Sequence, residues 1–155
     1  PRIEPHSLDD LANSLRTQLE PAARRKRIRL SVFAPKQGAH FDADILLRIA
    51  QNLASNALKF SPPGGTVALT LELKGDRLRL VVADQGPGIS VADQKKLFQK
   101  FTRLSARPTG GESSSGLGLA IVKRLVEACG GEIVCESTLG AGATFRVEVP
   151  VELPG

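Results

Sequence analysis

The sequence predicts a two-layer α/β sandwich, in which a mixed, mostly antiparallel sheet of about five strands carries three main helices on one face. Three observations support this fold class: helical segments with apolar residues every three or four positions, alternating apolar strands, and a tight hairpin turn at KGDR, residues 74–77. The 155 residues suffice for one domain with a hydrophobic core. Because the chain starts abruptly without Met, we expect a single domain, 1–155, excised from a longer protein.

The first predicted helix begins after Ser7. Ser7 is a candidate N-cap, with Asp10 as its partner in a variant capping box, and apolar residues follow at helical spacing. Pro21 lacks a backbone N–H, so we expect the helix to bend or restart there.

The second predicted helix runs from about Asp44 to Phe60. Before it, residues 28–33 (IRLSVF) alternate as a strand does, and residues 34–44 form a predicted loop. That loop ends at a candidate N-cap, either Asp42 or Asp44.

The second half of the chain alternates between strands and helices. In chain order we predict strands at 66–73 and 77–84, a short helix at 90–101, a mobile loop at 102–115, a helix at 116–129 ended by Gly130 and Gly131, and strands at 132–137 and 143–150.

Composition excludes several classes of function. No stretch is apolar enough for a transmembrane helix, and no Walker loop occurs. The net charge of +5 is compatible with an anionic partner, but a chain without Tyr or Trp lacks an aromatic platform for nucleic acid. The basic run at 23–29 is typical of a solvated helix end. Cys129 and Cys135 form no zinc motif and are expected to be small buried residues.

Two asparagines on the second helix are unusual, because the asparagine amide competes with helical hydrogen bonds. At about 100° per residue, Asn52, Asn56 and Lys59 lie on one polar stripe opposite the apolar face. An amide oxygen suits Mg²⁺ and a lysine suits phosphate. The alternative is a solvated helix face.

Three further motifs each have an ordinary structural alternative. In VVADQGPGIS, a strand ends at Asp84, and its carboxylate can accept a hydrogen bond from an exocyclic amine or simply cap a turn. Gly116 and Gly118 open a helix whose N-terminus suits phosphate, or they serve packing. Phe98 and Phe101 lie on one helical face, either in the core or also at the hinge of the mobile loop.

The order of these motifs, followed by GAGATF, resembles the ATP-binding catalytic domain of sensor histidine kinases. That domain belongs to the superfamily of gyrase B, the Hsp90 chaperones and the histidine kinases, which share the Bergerat fold. The resemblance covers residues from about Leu8 to Pro150 and implies a kinase that uses ATP and Mg²⁺, with a flexible lid over the nucleotide.

The resemblance also implies roles for individual residues. Asn56 would hold Mg²⁺, with Asn52 supporting the metal and phosphate end and Lys59 contacting phosphate, and Arg103 would reach the terminal phosphate. Asp84 would bind the adenine amine. The other residues that it assigns to the nucleotide site are Phe60, Gly86, Gly88, Ile89, Phe98, Phe101, Gly116, Leu117, Gly118, Leu119 and Thr144.

Two departures and one substitution distinguish this sequence. Ser114 replaces a glycine that is frequent in the family, and Ala143 stands where a hydroxyl residue is common. ATP hydrolases resembling gyrase carry Glu at the position of Asn52, and an amide cannot act as a general base. The amide favours phosphoryl transfer to an external acceptor over hydrolysis.

The resemblance implies that the acceptor lies elsewhere. In the family it is a histidine on a separate dimerisation domain, and His6 and His40 do not lie in such a segment. We therefore expect no autophosphorylation of this chain. The implied partners are that histidine domain of the same protein, in a homodimeric parent, and a response regulator receiver domain, with no nucleic acid. The implied location is cytoplasmic, and anchoring of the parent in the inner membrane stays open.

Two alternatives remain for the function. One is a serine kinase of the anti-sigma-factor type, which usually has Glu at the position of Asn52. The other is a catalytically silent ATP-binding module that regulates a partner by docking.

Overall fold

A computed structural model describes residues 2–86, 117–137 and 140–153. Within those ranges the elements, in chain order, are β1 (Glu4–Ser7), α1 (Leu8–Arg25), β2 (Arg29–Phe33), β3 (Gly38–Phe41), α2 (Ala43–Phe60), β4 (Thr66–Lys74), β5 (Arg77–Ala83), α3 (Leu117–Ala128), β6 (Glu132–Ser137) and β7 (Ala143–Pro150). The predicted helix at 90–101 and loop at 102–115 lie outside the described residues.

The main sheet has the strand order β2-β4-β5-β7-β6. β2 and β4 are parallel, whereas the other three pairs are antiparallel. Alternate residues of the central strands are buried on one face, and they are Val67, Leu69, Leu71, Leu78, Leu80, Val82, Phe145, Val147 and Val149. This alternation is the reason that one face of the sheet is covered and the other carries polar side chains. The predicted fold class is confirmed.

The three helices of the described residues cover the apolar face of the sheet, and α2 packs between α1 and α3. α2 buries its apolar stripe almost completely, since Ile49, Ala50 and Ala54 have no exposed surface. Its polar stripe therefore points away from the core. None of the helices in the described ranges is long and apolar enough to cross a membrane.

The predicted loop at 34–44 is wrong for its central part, which contains β3. β3 pairs antiparallel with β1 in a separate two-stranded sheet, with His40 opposite Pro5. Four residues are too few to give a clear alternating pattern, so the pairing with a distant segment decides the structure here.

Two details of α1 also differ from prediction. The side chain of Ser7 makes no capping hydrogen bond, and the Leu8 N–H donates instead to the Gln37 carbonyl at 2.9 Å. Pro21 does not restart the helix, which is continuous through it. Pro21 has no N–H to donate to the Thr17 carbonyl one turn earlier. Both residues lie on the exposed side of α1, where solvent can hydrate that carbonyl.

The two cysteines are free and half-buried at the edge of the core, so the prediction of buried cysteines is wrong in degree. Burial raises the pKa of both thiols, and the charges of Asp84 and Glu136 help to raise the pKa of Cys135 to about 12. Both cysteines are therefore neutral packing residues at physiological pH.

The turn after α1 is a Schellman motif with a non-glycine residue in the left-handed region. The Ile28 N–H donates to the Ala23 carbonyl at 2.9 Å, and the Arg27 N–H donates to the Arg24 carbonyl at 3.0 Å. Arg27, at the position that glycine usually takes, has φ 59°. An L-residue with a side chain is strained in this conformation.

Replacing Arg27 with glycine should therefore stabilise the protein by about 0.5–1 kcal/mol, as relief of the left-handed strain. The measurement is urea unfolding followed by circular dichroism. Arg25→Gly is the matched control, because Arg25 is the last residue of α1 and has no positive φ, so its replacement by glycine should not stabilise the protein. Equal effects of the two substitutions would contradict the assignment of strain to Arg27.

Candidate functional site

The polar stripe of α2 is the first component of the site. Asn52, Asn56 and Lys59 are half-buried, whereas Arg48 and Ser55 on the same side of the helix are exposed. The amides are four residues apart, which places them one turn apart on the same face. The structure therefore brings together the three predicted residues of the stripe.

The N-terminus of α2 is capped by Asp42, as predicted. Its Oδ1 accepts a hydrogen bond from the Ile45 N–H at 3.0 Å, and its Oδ2 accepts one from the Arg2 N–H at 2.6 Å. Burial opposes the charge of Asp42, but these N–H groups outweigh it and lower the pKa of the carboxyl. The cap is therefore charged at neutral pH and favours the helix that carries the stripe.

Asp84 follows β5 and is the second component. Its Oδ1 accepts hydrogen bonds from the Gly86 N–H at 2.8 Å and the Ala143 N–H at 3.3 Å. The Asp84 N–H donates in return to the Ala143 carbonyl at 2.9 Å. In the described ranges no group donates to Oδ2. Within the described ranges, the carboxyl is thus held through Oδ1 alone.

The charge of Asp84 is costly where it lies. Burial raises the pKa of the carboxyl, and the two N–H groups of Gly86 and Ala143 only partly offset this rise. A half-buried carboxylate whose pKa is raised by burial is a candidate for ligand binding.

Two glycines allow the backbone to approach closely around Asp84. A Cβ on Gly86 would lie 2.7 Å from the Phe60 carbonyl oxygen, so this glycine brings the β5 loop against the end of α2. Gly142 has φ 82°, and a Cβ there would overlap the Asp84 carbonyl oxygen. These contacts join the helix end, the aspartate loop and the start of β7.

The remaining predicted residues divide into three groups. Leu117 and Gly118 lie in the first turn of α3, and Leu119 is buried in the core. Thr144 is separated from Asp84, because Ala143 and Phe145 face the helices and strand residues alternate, so Thr144 lies on the other face of the sheet. The predicted residues outside the described ranges are Gly88, Ile89, Phe98, Phe101, Arg103 and Gly116.

Two features of the site are not predicted from the sequence. One is the backbone of Ala143, which both donates a hydrogen bond to Asp84 and accepts one from it. Because every residue except proline has these backbone groups, the residue type does not indicate this role. The other is Lys26, which reaches the end of α2 although it belongs to a basic run expected to be solvated. Its place directly after a helix was the available signal, since lysine can hydrogen-bond helix-terminal carbonyls.

Comparison with protein families gives one match. The model of the family described as histidine kinase-, DNA gyrase B- and HSP90-like ATPase matches residues 41–153, which include α2, Asp84 and α3.

Individual proteins agree with this match. The circadian input-output histidine kinase CikA of Synechococcus elongatus is 40% identical over 153 residues, covering 96% of this chain. The chain spans only 20% of the length of that relative.

Two solved structures share the fold. The mycobacterial sensor histidine kinase MprB is 30% identical with a TM-score of 0.80, and the match covers 97% of this chain and all of that one. Full-length ShkA in complex with AMPPNP is 33% identical with a TM-score of 0.85, covering 99% of this chain and 32% of that one.

Proposed function

We propose that this chain transfers a phosphoryl group from Mg-ATP to a histidine on a separate domain. The chain belongs to the family of histidine kinase-, DNA gyrase B- and HSP90-like ATPases, and it is the ATP-binding catalytic domain of a sensor histidine kinase. The observation that carries the proposal is the pairing of an anchored aspartate with an amide-bearing helix in this family's fold.

The Asp84 region suits adenine. With Oδ1 held by two backbone N–H groups, Oδ2 is left to accept a hydrogen bond from the exocyclic amine of the base. Gly86 lets the loop after β5 lie close to the backbone of Phe60, which brings the end of α2 next to the Asp84 carboxyl, and the aromatic side chain at this position would line the base. That ShkA was solved with AMPPNP supports an adenine nucleotide as the ligand.

The α2 stripe suits the phosphates and their metal. Asn52 and Asn56 are half-buried and one turn apart, and their amide oxygens are neutral ligands of the kind that Mg²⁺ accepts. Lys59 lies one turn nearer the end of the helix, where its ammonium suits a phosphate oxygen. Bound Mg²⁺ would neutralise part of the negative charge of the phosphates.

The chemistry of Asn52 favours transfer over hydrolysis. An amide takes no proton from water, so this position supplies no general base. What the chain contributes is the orientation of the nucleotide by Asp84 and Asn56, together with positive charge near the phosphates from Lys59. Water activation is absent from these roles, and the nucleophile is supplied by the acceptor.

The partners in this proposal follow from the transfer. The acceptor is a histidine on a helical dimerisation domain of the parent protein, and a response regulator receives the phosphoryl group next. The names of the relatives as histidine kinases support the transfer to histidine. A cytoplasmic location and a homodimeric parent are part of the same proposal.

The test combines nucleotide binding with transfer. We expect calorimetry to give a dissociation constant for Mg-ATP between roughly micromolar and millimolar, or about −8 to −4 kcal/mol. With a histidine-bearing helical domain and γ-labelled ATP, we expect acid-labile label on that domain, because a phosphohistidine P–N bond hydrolyses in acid. The control is the same domain with its histidine replaced by alanine. Acid-stable label would instead support a serine kinase, and labelled inorganic phosphate alone would support a hydrolase.

A further inference from the structure

Lys26 connects the end of α1 to the end of α2. Its Nζ donates to the Leu58 carbonyl and to the Lys59 carbonyl, both at 2.6 Å, in a partly buried position. Two short bonds from one ammonium to adjacent carbonyls form a charge-assisted clamp, which is stronger than bonds between neutral groups.

The last four carbonyls of α2 have no partner within the helix, so other groups must satisfy them. The Ser61 N–H donates to the Ala57 carbonyl at 3.0 Å. Lys26 takes the next two, at Leu58 and Lys59. The last carbonyl, at Phe60, lies against Gly86. The end of α2 is therefore held from the α1 side by Lys26, and Gly86 packs closely against its last carbonyl on the Asp84 side.

Lys26 is itself fixed by the turn in which it lies. Its own N–H donates to the Ala22 carbonyl at 3.2 Å, and the Schellman hydrogen bonds follow directly after it. The Arg27 carbonyl accepts from the Gly64 N–H at 2.8 Å, which ties the turn to the loop after α2. Hydrogen bonds to α1 and to the loop after α2 thus fix the backbone of Lys26 and Arg27 beside the end of α2.

The charge of Lys26 is suited to this place. The C-terminus of a helix carries partial negative charge, and a cation there is stabilising. Arg25, Arg27 and Lys59 line the same cleft of about 710 Å³ between α1 and α2. Arg25 is therefore a neighbouring cation of the same cleft that can be compared with Lys26, whose two hydrogen bonds reach the helix end.

We propose that Lys26 is a positioning residue for phosphate binding. By holding the Leu58 and Lys59 carbonyls, it fixes the turn of α2 from which the Lys59 side chain projects. Lys59 then meets the phosphates without first losing the conformational freedom of a frayed helix end. The inference rests on the proposed function, since it assigns Lys26 to the phosphate contact of Lys59.

The test compares two ligands in the 155-residue chain. Lys26→Met removes the ammonium and keeps most of the stem, and it should weaken Mg-ATP binding roughly tenfold. Adenosine lacks the phosphates that Lys59 would contact, so adenosine affinity, measured by competition against ATP, should change less than about twofold. Lys26→Arg keeps donors for both carbonyls and should restore most of the ATP affinity. Arg25→Met removes a cation from the same cleft and should leave both affinities unchanged.

A double-mutant cycle separates positioning from a general loss of charge. If Lys26 acts through Lys59, then Lys26→Met should cost almost nothing in ATP affinity when Lys59→Met is already present. Urea unfolding of each variant gives its folded fraction at the assay temperature. If Lys26→Met does not fold, Lys26→Gln keeps one donor and replaces it in the cycle.

The outcomes distinguish this inference from the proposed function. Absence of Mg-ATP binding by the wild-type chain would overturn the proposed function itself. Wild-type binding with equal losses of ATP and adenosine affinity in Lys26→Met, or additive effects in the cycle, would overturn the positioning role alone. A loss restricted to ATP, abolished in the Lys59→Met background, supports it.

Discussion

Replacing Gly142 with alanine is expected to destabilise the protein by about 3 kcal/mol or more, as the sum of left-handed backbone strain and a core overlap. Gly142 has φ 82°, and its new Cβ would overlap the Asp84 carbonyl oxygen and lie 3.2 Å from the Gln85 Cα. The Gly142 carbonyl also accepts a hydrogen bond from the Ser137 hydroxyl at 2.7 Å, which limits any movement away from Asp84. The measurement is the urea midpoint of unfolding.

Gly140 provides the matched control for this substitution. It has the same φ of 82°, but a Cβ there would meet no atom within 4 Å. Gly140→Ala should therefore cost only the strain, about 1–2 kcal/mol. The difference between the two variants isolates the overlap with Asp84, and equal urea midpoints would contradict the close packing of Gly142.

The same substitution should affect ligand binding through Asp84. The atom that must move is the Asp84 carbonyl oxygen, and Asp84 and Ala143 are joined by two reciprocal hydrogen bonds. Displacing them reorients the carboxyl, so the folded fraction of Gly142→Ala should bind Mg-ATP more weakly than Gly140→Ala does. Calorimetry without urea, at a temperature where both variants are folded, gives the two dissociation constants for this comparison.

The parts of the fold that the sequence predicted are those in which local pattern and tertiary burial agree. α2 is the clearest case, since its apolar stripe and its Asp42 cap are both visible in the sequence, and its observed start at Ala43 differs from the predicted Asp44 by one residue. β4 and β5 similarly combine alternation with a glycine turn, where Gly75 has φ 60°. A segment can be predicted from its sequence when its local pattern, its capping or turn residues and its burial all favour the same structure.

The missed features depend on contacts between distant segments. β3 is short and forms because β1 pairs with it, and α1 continues through Pro21 because that side of the helix faces solvent. In the site, the stripe and Asp84 follow from residue type, but the N–H of Ala143 and the reach of Lys26 depend on the final packing. A backbone donor cannot be predicted from the side chain that it carries.

Asp84→Asn should separate stability from ligand recognition. The asparagine oxygen can replace Oδ1 and keep the hydrogen bonds from Gly86 and Ala143. Its NH₂ group then lies at the position of Oδ2, where it faces the adenine amine donor to donor. We expect Mg-ATP affinity to fall by at least about 1–3 kcal/mol in calorimetry, because an acceptor is replaced by a mismatched donor. Wild-type affinity in this variant would contradict the adenine assignment.

Guanine nucleotides sharpen this prediction. Guanine carries a carbonyl oxygen where adenine carries its amine, so a carboxylate repels it and an amide NH₂ can donate to it. Asp84→Asn should therefore narrow the preference for Mg-ATP over Mg-GTP, by weakening the first and strengthening the second. A parallel loss of both nucleotides would instead indicate general damage to the pocket.

Asp84→Asn should raise the free energy of unfolding at neutral pH although it lowers the affinity for ATP. The folded protein holds a proton on Asp84 to a higher pH than the ordinary pKa of 3.8, because burial disfavours the charge. Between 3.8 and the raised pKa, the folded state binds more protons than the unfolded state, so the free energy of unfolding falls as the pH rises. Above the raised pKa, the free energy of unfolding stays at this lower level. Asparagine does not titrate, so Asp84→Asn should gain stability relative to wild type as the pH rises above about 4. Urea unfolding of both proteins at pH 4 and pH 7 measures this gain. A variant less stable than wild type at pH 7 would mean that the charged carboxylate contributes more through Gly86 and Ala143 than its burial costs.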